Sequence, residues 1–447
     1  MSSPHVTIIG GGSVQWSPSL ITDIFLTADL GNATITLHDI DAQATDLVLE
    51  YGLQVAAALQ VPGRVRKEPD LERALAGADY VIIAISTGGL SAMERDVSIP
   101  EKFGVLHTVG DSCGPGGWSR FVRNFPVFLN LAQAIKRFAP SAVILNYTNP
   151  MTTLTSVLAR ELDNPVIGLC HGVYENFAFL AQQYGVEPQD IDAVYGGVNH
   201  FFWMTEVSIA GMDVIADLKS RLTGGRTLTD LEENASGTPF APGAFHSAHE
   251  LATELFQLTG VLPFLEDRHT SEFISWGVTD QDWMRAQRIV RTSMEDRRRN
   301  QSSWSADAKA AIERGLERHE LSSSGEGAAE VIAAHLTNRP HVDVGNVVNQ
   351  GQISNLPLGL VVETAVLTDR RGFTPLDFGA LPAVPASLTA PHAAAFEMLV
   401  DACYSGDLRA ARRSLRLDPS VSHLPTSRVN DLADELIAAN GGFPTRP

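Results

Sequence analysis

The chain has 447 residues, 44% of them hydrophobic and 19% charged, with a formal net charge of −19. The length exceeds what one hydrophobic core comfortably holds, so two packed domains are expected, and the composition is that of a globular protein. The negative charge excludes nucleic acid and anionic membranes as partners, and no apolar run approaches the ~20 residues of a membrane span.

The start, Met1 to His5, shows no signal-peptide pattern, because the apolar stretch from Val6 passes at once into glycines. Cys113, Cys170 and Cys403 are too few and too scattered for a disulfide framework. A reducing, cytoplasmic setting is expected, in which any of the three can be a working thiol.

In chain order, short β-rich runs alternate with helical patterns. His5–Ile9, Thr34–His38, Tyr80–Ile85, Ala142–Leu145, Val166–Leu169 and Ala193–Val198 read as successive buried parallel strands. Ser19–Ala28, Ala42–Leu59 and Phe121–Phe138 read as the intervening helices. The expected fold is α/β, an N-terminal doubly wound Rossmann-type sheet over residues 1–196 with ligands at the carboxyl ends of its strands. Residues 197–447 are expected to form a mixed α/β domain for substrate binding and oligomerisation. It begins with an antiparallel strand at Phe201–Ile209. Arg288–Ser324, with its Arg297–Arg299 run, reads as a solvated helix face or a mobile loop. Val361–Leu367 reads as a strand, and Pro391–Leu415 as closing helices with Asp407 between them.

The first strand runs into Gly10, Gly11, Gly12 and Ser13, and Ser17 before Pro18 reads as a helix N-cap. Such a loop lets the backbone approach a pyrophosphate at a helix N-terminus. Asp39, at the end of the next strand, suits the ribose hydroxyls of NAD and repels the extra phosphate of NADP. Gln15 stands where the usual pattern has its third glycine. Ser86, after the Tyr80–Ile85 strand, is expected to face the same cofactor. Gly114–Gly117 is a backbone-exposing loop that admits a ligand or merely reverses the chain.

Three further strand ends carry chemistry. Asn149, Cys170 and the Asn199–His200 pair are expected to converge beside the nicotinamide. Cys and His are competent metal ligands, and two protein ligands leave room for substrate oxygens and water.

Taken together these segments resemble the family 4 glycoside hydrolases. The matching pieces are IIGGGS (Ile8–Ser13), LHDID (Leu37–Asp41), GPGG (Gly114–Gly117), NYTNPM (Asn146–Met151), CHGV (Cys170–Val173) and GVNHF (Gly197–Phe201). They continue through EDRHTSEF (Glu266–Phe273), SGE (Ser324–Glu326) and NQGQISNLP (Asn349–Pro357), in order along nearly the whole chain. The resemblance implies a C-terminal domain like that of lactate and malate dehydrogenases, NAD, a divalent metal such as Mn2+, and a homodimer or homotetramer. It places the metal on Cys170 and His200 and the substrate on Asn149, His171 and Asn199. It also implies hydrolysis through oxidation of the sugar at C3, metal-assisted removal of the C2 proton, elimination, and water addition. Asp267 is the expected base. Arg268 is the expected partner of a sugar carboxylate, because guanidinium offers a planar fork. Unphosphorylated α-hexosides and α-uronides are both open as small-molecule substrates. The rival readings are an NAD-dependent 2-hydroxy acid dehydrogenase and a non-catalytic NAD-binding sensor.

Overall fold

The computed structural model describes residues 3–444; Met1 and Ser2, part of the start read for a leader, lie outside the described residues. Thirteen strands join in one sheet. The first six are β1 (His5–Ile9), β2 (Thr34–His38), β3 (Arg64–Lys67), β4 (Tyr80–Ile83), β5 (Val143–Asn146) and β6 (Val166–Gly168). They are parallel and lie in the order β3-β2-β1-β4-β5-β6. β4 and β5 are buried throughout and apolar except at Asn146, as expected for strands covered on both faces by helices. β3, reading Arg-Val-Arg-Lys, buries only Val65, and so shows no apolar run in the sequence.

Helices 17–26, 42–59 and 328–337 cover one face of the sheet, and helices 114–138, 151–161, 408–417 and 426–439 the other. The 42–59 helix starts where Asp41 accepts from the N–H groups of Gln43 and Ala44. The 114–138 helix fills its side of the sheet with Phe121, Phe125 and Phe128, each fully buried.

The second half supplies β7 (Ile191–Val198), β8 (Phe201–Ile209), β9 (Met212–Asp213), β10 (Leu262–Pro263), β11 (His341–Val348), β12 (Val361–Asp369) and β13 (Gly372–Pro375). All pair antiparallel. This corrects one expectation: β7 does not extend the parallel sheet. The β11–β12 hairpin is inserted between β6 and β7, in the order β7-β12-β11-β6. The expected division at 196/197 falls inside β7. One row of the sheet runs Gly168, Asn346, Glu363, Gly197, and the candidate site stands beside it.

Two loop readings also change. Gly114–Gly117 is the first turn of the 114–138 helix rather than a loop. Ser17 lies inside the helix it was expected to cap, with Trp16 at the cap position. The arginine run lies on the Met294–Arg314 helix, and Asp407 caps the Leu408–Leu417 helix from between it and the Ala383–Ser405 helix.

Candidate active site

After β6 the chain leaves the sheet and delivers Cys170; after β7 it turns at Asn199–His200 before β8. His200 takes a φ of +64°, a left-handed conformation that costs energy for a residue with a Cβ. In that conformation its Nε2 lies 3.1 Å from Cys170 Sγ. Burial and the nearby Glu363 carboxylate push the Cys170 thiol up to about 11. Burial holds the His200 imidazole below its ordinary value. Neutral imidazole presents a lone pair to a cation, and a cation would reverse the balance on the thiol.

Asp111 and Ser112, which the sequence did not single out, complete this corner together with His269. The ligand atoms of Asp111, His200 and His269 lie within 4.8 Å of one another. The His200 and His269 rings are 4.0 Å apart between centroids, and Phe264 stacks against His200 at 5.9 Å. Ser112 Oγ is 2.8 Å from His200 Nδ1 and donates to Asp111 Oδ1 at 2.7 Å, a second contact that sets the ring's orientation. His269 Nδ1 is buried with no partner, and burial, followed by the charges of His200 and Arg268, holds this imidazole well below its ordinary value. One thiol, one carboxylate and two neutral imidazoles, one of them with an orphaned buried nitrogen, form a donor set that fits a divalent ion.

The expected substrate residues gather unevenly around this corner. Asn199 is buried; its Nδ2 donates to Glu363 Oε2 at 2.8 Å, Asn346 donates to the same oxygen at 2.8 Å, and Asn199 Oδ1 has no partner. Asn149 precedes a cis peptide bond to Pro150, and its backbone oxygen accepts from Arg120 Nε at 2.9 Å. His171 is exposed, with Trp16 at 6.3 Å between ring centroids. A hydrogen bond to Glu326 pushes it up to about 9. Arg268 is 4% exposed; it donates to Thr292 Oγ1 at 2.6 Å and keeps its Nε unpartnered.

Asp267, expected as the base, is placed differently. It is fully buried, and its two oxygens accept from the N–H groups of Leu251 at 2.7 Å and Ala252 at 2.9 Å, at the start of the Glu250–Thr259 helix. Each oxygen thus serves one backbone N–H, and burial pushes the carboxyl well above its ordinary value. The carboxylate that faces the thiol–imidazole corner is the half-buried Asp111.

After β1, the N–H groups of Gly10 and Gly11 both donate to His38 O at 2.9 Å, and Gly12 N–H donates to Asp39 Oδ2 at 2.9 Å. A Cβ on Gly10 would sit 2.2 Å from Ala84 O, and the residue's φ is +89°; only glycine fits. The following helix has no side-chain cap and no acid in its first turn, so its positive end is open to a phosphate. Ile40, next to Asp39, is 100% exposed, an apolar rim suited to a base. Ser86 is exposed and receives Arg120 Nη2 at 3.4 Å. These features fit a dinucleotide.

The chain matches the profile of the family 4 glycosyl hydrolases over residues 5–186 and that of the family's C-terminal domain over residues 195–421. It is 33% identical over 427 residues to an α-galacturonidase of Bacillus subtilis (strain 168), covering 93% of each chain. The crystal structure of a putative glucosidase from Bacillus subtilis superposes with a TM-score of 0.86 at 29% identity, covering 98% of this chain and 100% of the other. A 6-phospho-α-glucosidase from gut microorganisms, in complex with NAD and Mn2+, superposes with a TM-score of 0.84 at 21% identity, covering 100% of each chain.

Proposed function

The chain belongs to the family 4 glycosyl hydrolases, and from that premise we propose that it cleaves unphosphorylated α-uronides, α-galacturonides first among them, using NAD and a divalent metal. The observation that carries this reading is the Arg268 guanidinium, 4% exposed, with its Nε unpartnered, one residue from the orphaned His269. A buried cation with an unspent donor is stabilised by an anionic group and left unsatisfied by a hydroxymethyl. The α-galacturonidase of Bacillus subtilis, at 33% identity over 93% of this chain, supports the same substrate class.

Cys170 and His200 would hold the metal, with His269 as a further donor and Ser112 setting the His200 ring. The glycine loop, the uncapped helix start, Asp39 and Ile40 would hold NAD. When bound, NAD supplies reversible oxidation at C3, and the metal supplies Lewis acidity toward the C2 and C3 oxygens. Asp111 is the proton acceptor for C2: it faces the corner, is half-buried, and is held by Ser112 at 2.7 Å. Departure of the C1 substituent by elimination and addition of water at C1 complete hydrolysis with no net redox change. Asn149 and His171 bind sugar hydroxyls, and Asn199, anchored on Glu363, lends its free Oδ1 to the same surface.

The test is incubation with NAD, Mn2+ and a thiol reductant in deuterated water, with matched para-nitrophenyl α-galacturonide, α-galactoside and α-glucoside. The expected result is preferential cleavage of the uronide with deuterium incorporated at C2 of the released sugar. Preference for the neutral hexosides overturns the substrate assignment. Net NADH accumulation on a 2-hydroxy acid would favour the dehydrogenase reading instead.

A further inference from the structure

The Arg297–Arg299 run divides by environment. Arg298 pairs with Glu94 at 2.6 Å and Arg299 with Glu295 at 3.0 Å, and both side chains are exposed. Arg297, from the same helix turn, points the other way. Its Nη2 donates to Val109 O at 2.7 Å, its Nη1 lies 3.4 Å from Met93 Sδ, and its Nε is buried with no partner. Arg120 reaches the same sulfur at 4.0 Å.

Arg268 and Arg297 meet the same stretch of chain that leads to Asp111: Thr108 Oγ1 donates to Arg268 O at 2.5 Å, and Arg297 Nη2 donates to the adjacent Val109 O. Burial, with the like charges of Arg268 and Arg120 close by, pulls the Arg297 guanidinium below its ordinary value, and Asp111 opposes that pull. The carboxylates at hand are already engaged. Asp111 is held by Ser112, Glu266 accepts from Ser247 and lies 3.5 Å from Arg268, and Glu272 is bound by backbone amides. These three carboxylates match the three guanidinium groups in charge, yet the Nε–H donors of Arg268 and Arg297 remain unspent. A buried donor without an acceptor is costly unless a ligand completes it.

We propose that Arg297 and Arg268 together form the seat of the substrate's carboxylate, and that Arg297 sets the preference for a C6 carboxylate over a C6 hydroxymethyl. The inference rests on the uronide reading above and adds the residue that decides it. A carboxylate accepts from both free Nε–H groups in charge-assisted bonds, one oxygen to each. A hydroxymethyl offers a single neutral oxygen, whose bonds to the same donors are about half as strong. Loss of one partner in a desolvated, charge-assisted pair typically costs on the order of 100-fold in affinity or more.

The experiment compares kcat/KM on matched para-nitrophenyl α-galacturonide and α-galactoside for the NAD- and Mn2+-loaded wild type, Arg297→Gln, Arg297→Lys and Arg298→Gln. Competitive inhibition by free galacturonate and galactose is measured alongside. The expected result is a uronide-to-galactoside ratio reduced about 100-fold in Arg297→Gln and partly retained in Arg297→Lys. Galacturonate inhibition should weaken in step while galactose inhibition does not, and Arg298→Gln should match the wild type. If Arg297 only braces Val109, both substrates slow together, the ratio is unmoved, and the proposal is overturned while the uronide reading stands. A wild type that prefers the galactoside overturns both. If Arg297→Gln fails to fold, unchanged selectivity in Arg297→Lys, with unchanged galacturonate inhibition, overturns the proposal.

Discussion

Glu272 holds His107 in the interior, Oε1 receiving Nδ1 at 3.0 Å with neither side chain open to water. His107 Nε2 accepts from the N–H of Gly116 at 3.0 Å, which leaves the proton on Nδ1 to donate. The same carboxylate accepts from the N–H groups of Thr108, Val109 and Gly110 at 2.7 to 2.8 Å. One buried anion thus fixes the loop that presents Asp111 and Ser112, and ties that loop to the first turn of the 114–138 helix.

This arrangement makes stability depend on pH in a defined direction. Burial alone would raise the Glu272 carboxyl, but His107 and the surrounding donors outweigh it and hold the group below its ordinary 4.5. A carboxyl depressed on folding contributes fully above its unfolded value, and the contribution is lost as pH falls through the folded value. Glu272→Gln should therefore lower the unfolding free energy by roughly 2–4 kcal/mol near neutrality and flatten the acid limb of the Tm–pH curve. An acid limb that stays as steep in the variant would remove Glu272 as its source.

Asp111 and Asp267 should separate cleanly. Asp111→Asn is expected to lower kcat by about 10²–10⁴, with Tm changed little, because its side chain is half-buried. Asp267→Asn is expected to lose roughly 1–2 kcal/mol of stability, because one oxygen capping the Glu250–Thr259 helix becomes an amide. Differential scanning calorimetry and steady-state kinetics on the two variants check this; comparable kcat losses in both would return Asp267 to the chemistry.

Metal and dinucleotide sites should come apart as well. Cys170→Ser and His200→Ala should abolish Mn2+ binding, read by electron paramagnetic resonance, while NAD still binds as judged by fluorescence titration. Chelation of the wild type should give the same inactive, NAD-competent state, restored by Mn2+. Full metal affinity in Cys170→Ser would take the thiol out of the ligand set.

Gly10→Ala should be severe. A methyl group at φ +89° would lie 2.2 Å from Ala84 O, so the loop must move or β4 must give way, at a cost of about 3 kcal/mol or more. Weakened NAD binding together with a lowered Tm is the expected pair of results. A variant with wild-type Tm would mean the loop has slack that these contacts do not reveal.

The parallel half of the fold was legible because its signals are local. β1, β4 and β5 are short runs rich in Val and Ile, and the glycines after β1 announce a turn that no Cβ tolerates. β11, reading His-Val-Asp-Val-Gly-Asn-Val-Val, was not recognised. It carries Asp343 and Asn346, whose partners include Tyr174 on the Gly172–Tyr184 helix and Glu363 across the sheet. Without β11, β7 was taken as a parallel strand beside β6.

The same division runs through the site. Cys170 and His200 could be named because each follows a strand, where ligands gather in α/β sheets. Asp111 and Ser112 sit on a connecting segment whose direction comes from a distant partner, Glu272; His269 lies on the short Asp267–Thr270 helix, which only packing brings beside His200. Arg297 looked like its exposed neighbours, Arg298 and Arg299.

What residue order settled by itself was local: where strands and helices form, where the backbone must be glycine, and which strand ends carry a thiol or an imidazole. Those follow from periodicity and sterics within a few residues. Which carboxylate faces the corner, and which arginine turns inward, was decided only when segments about 90 to 190 residues apart packed together, because burial and hydrogen-bond saturation are properties of the whole fold.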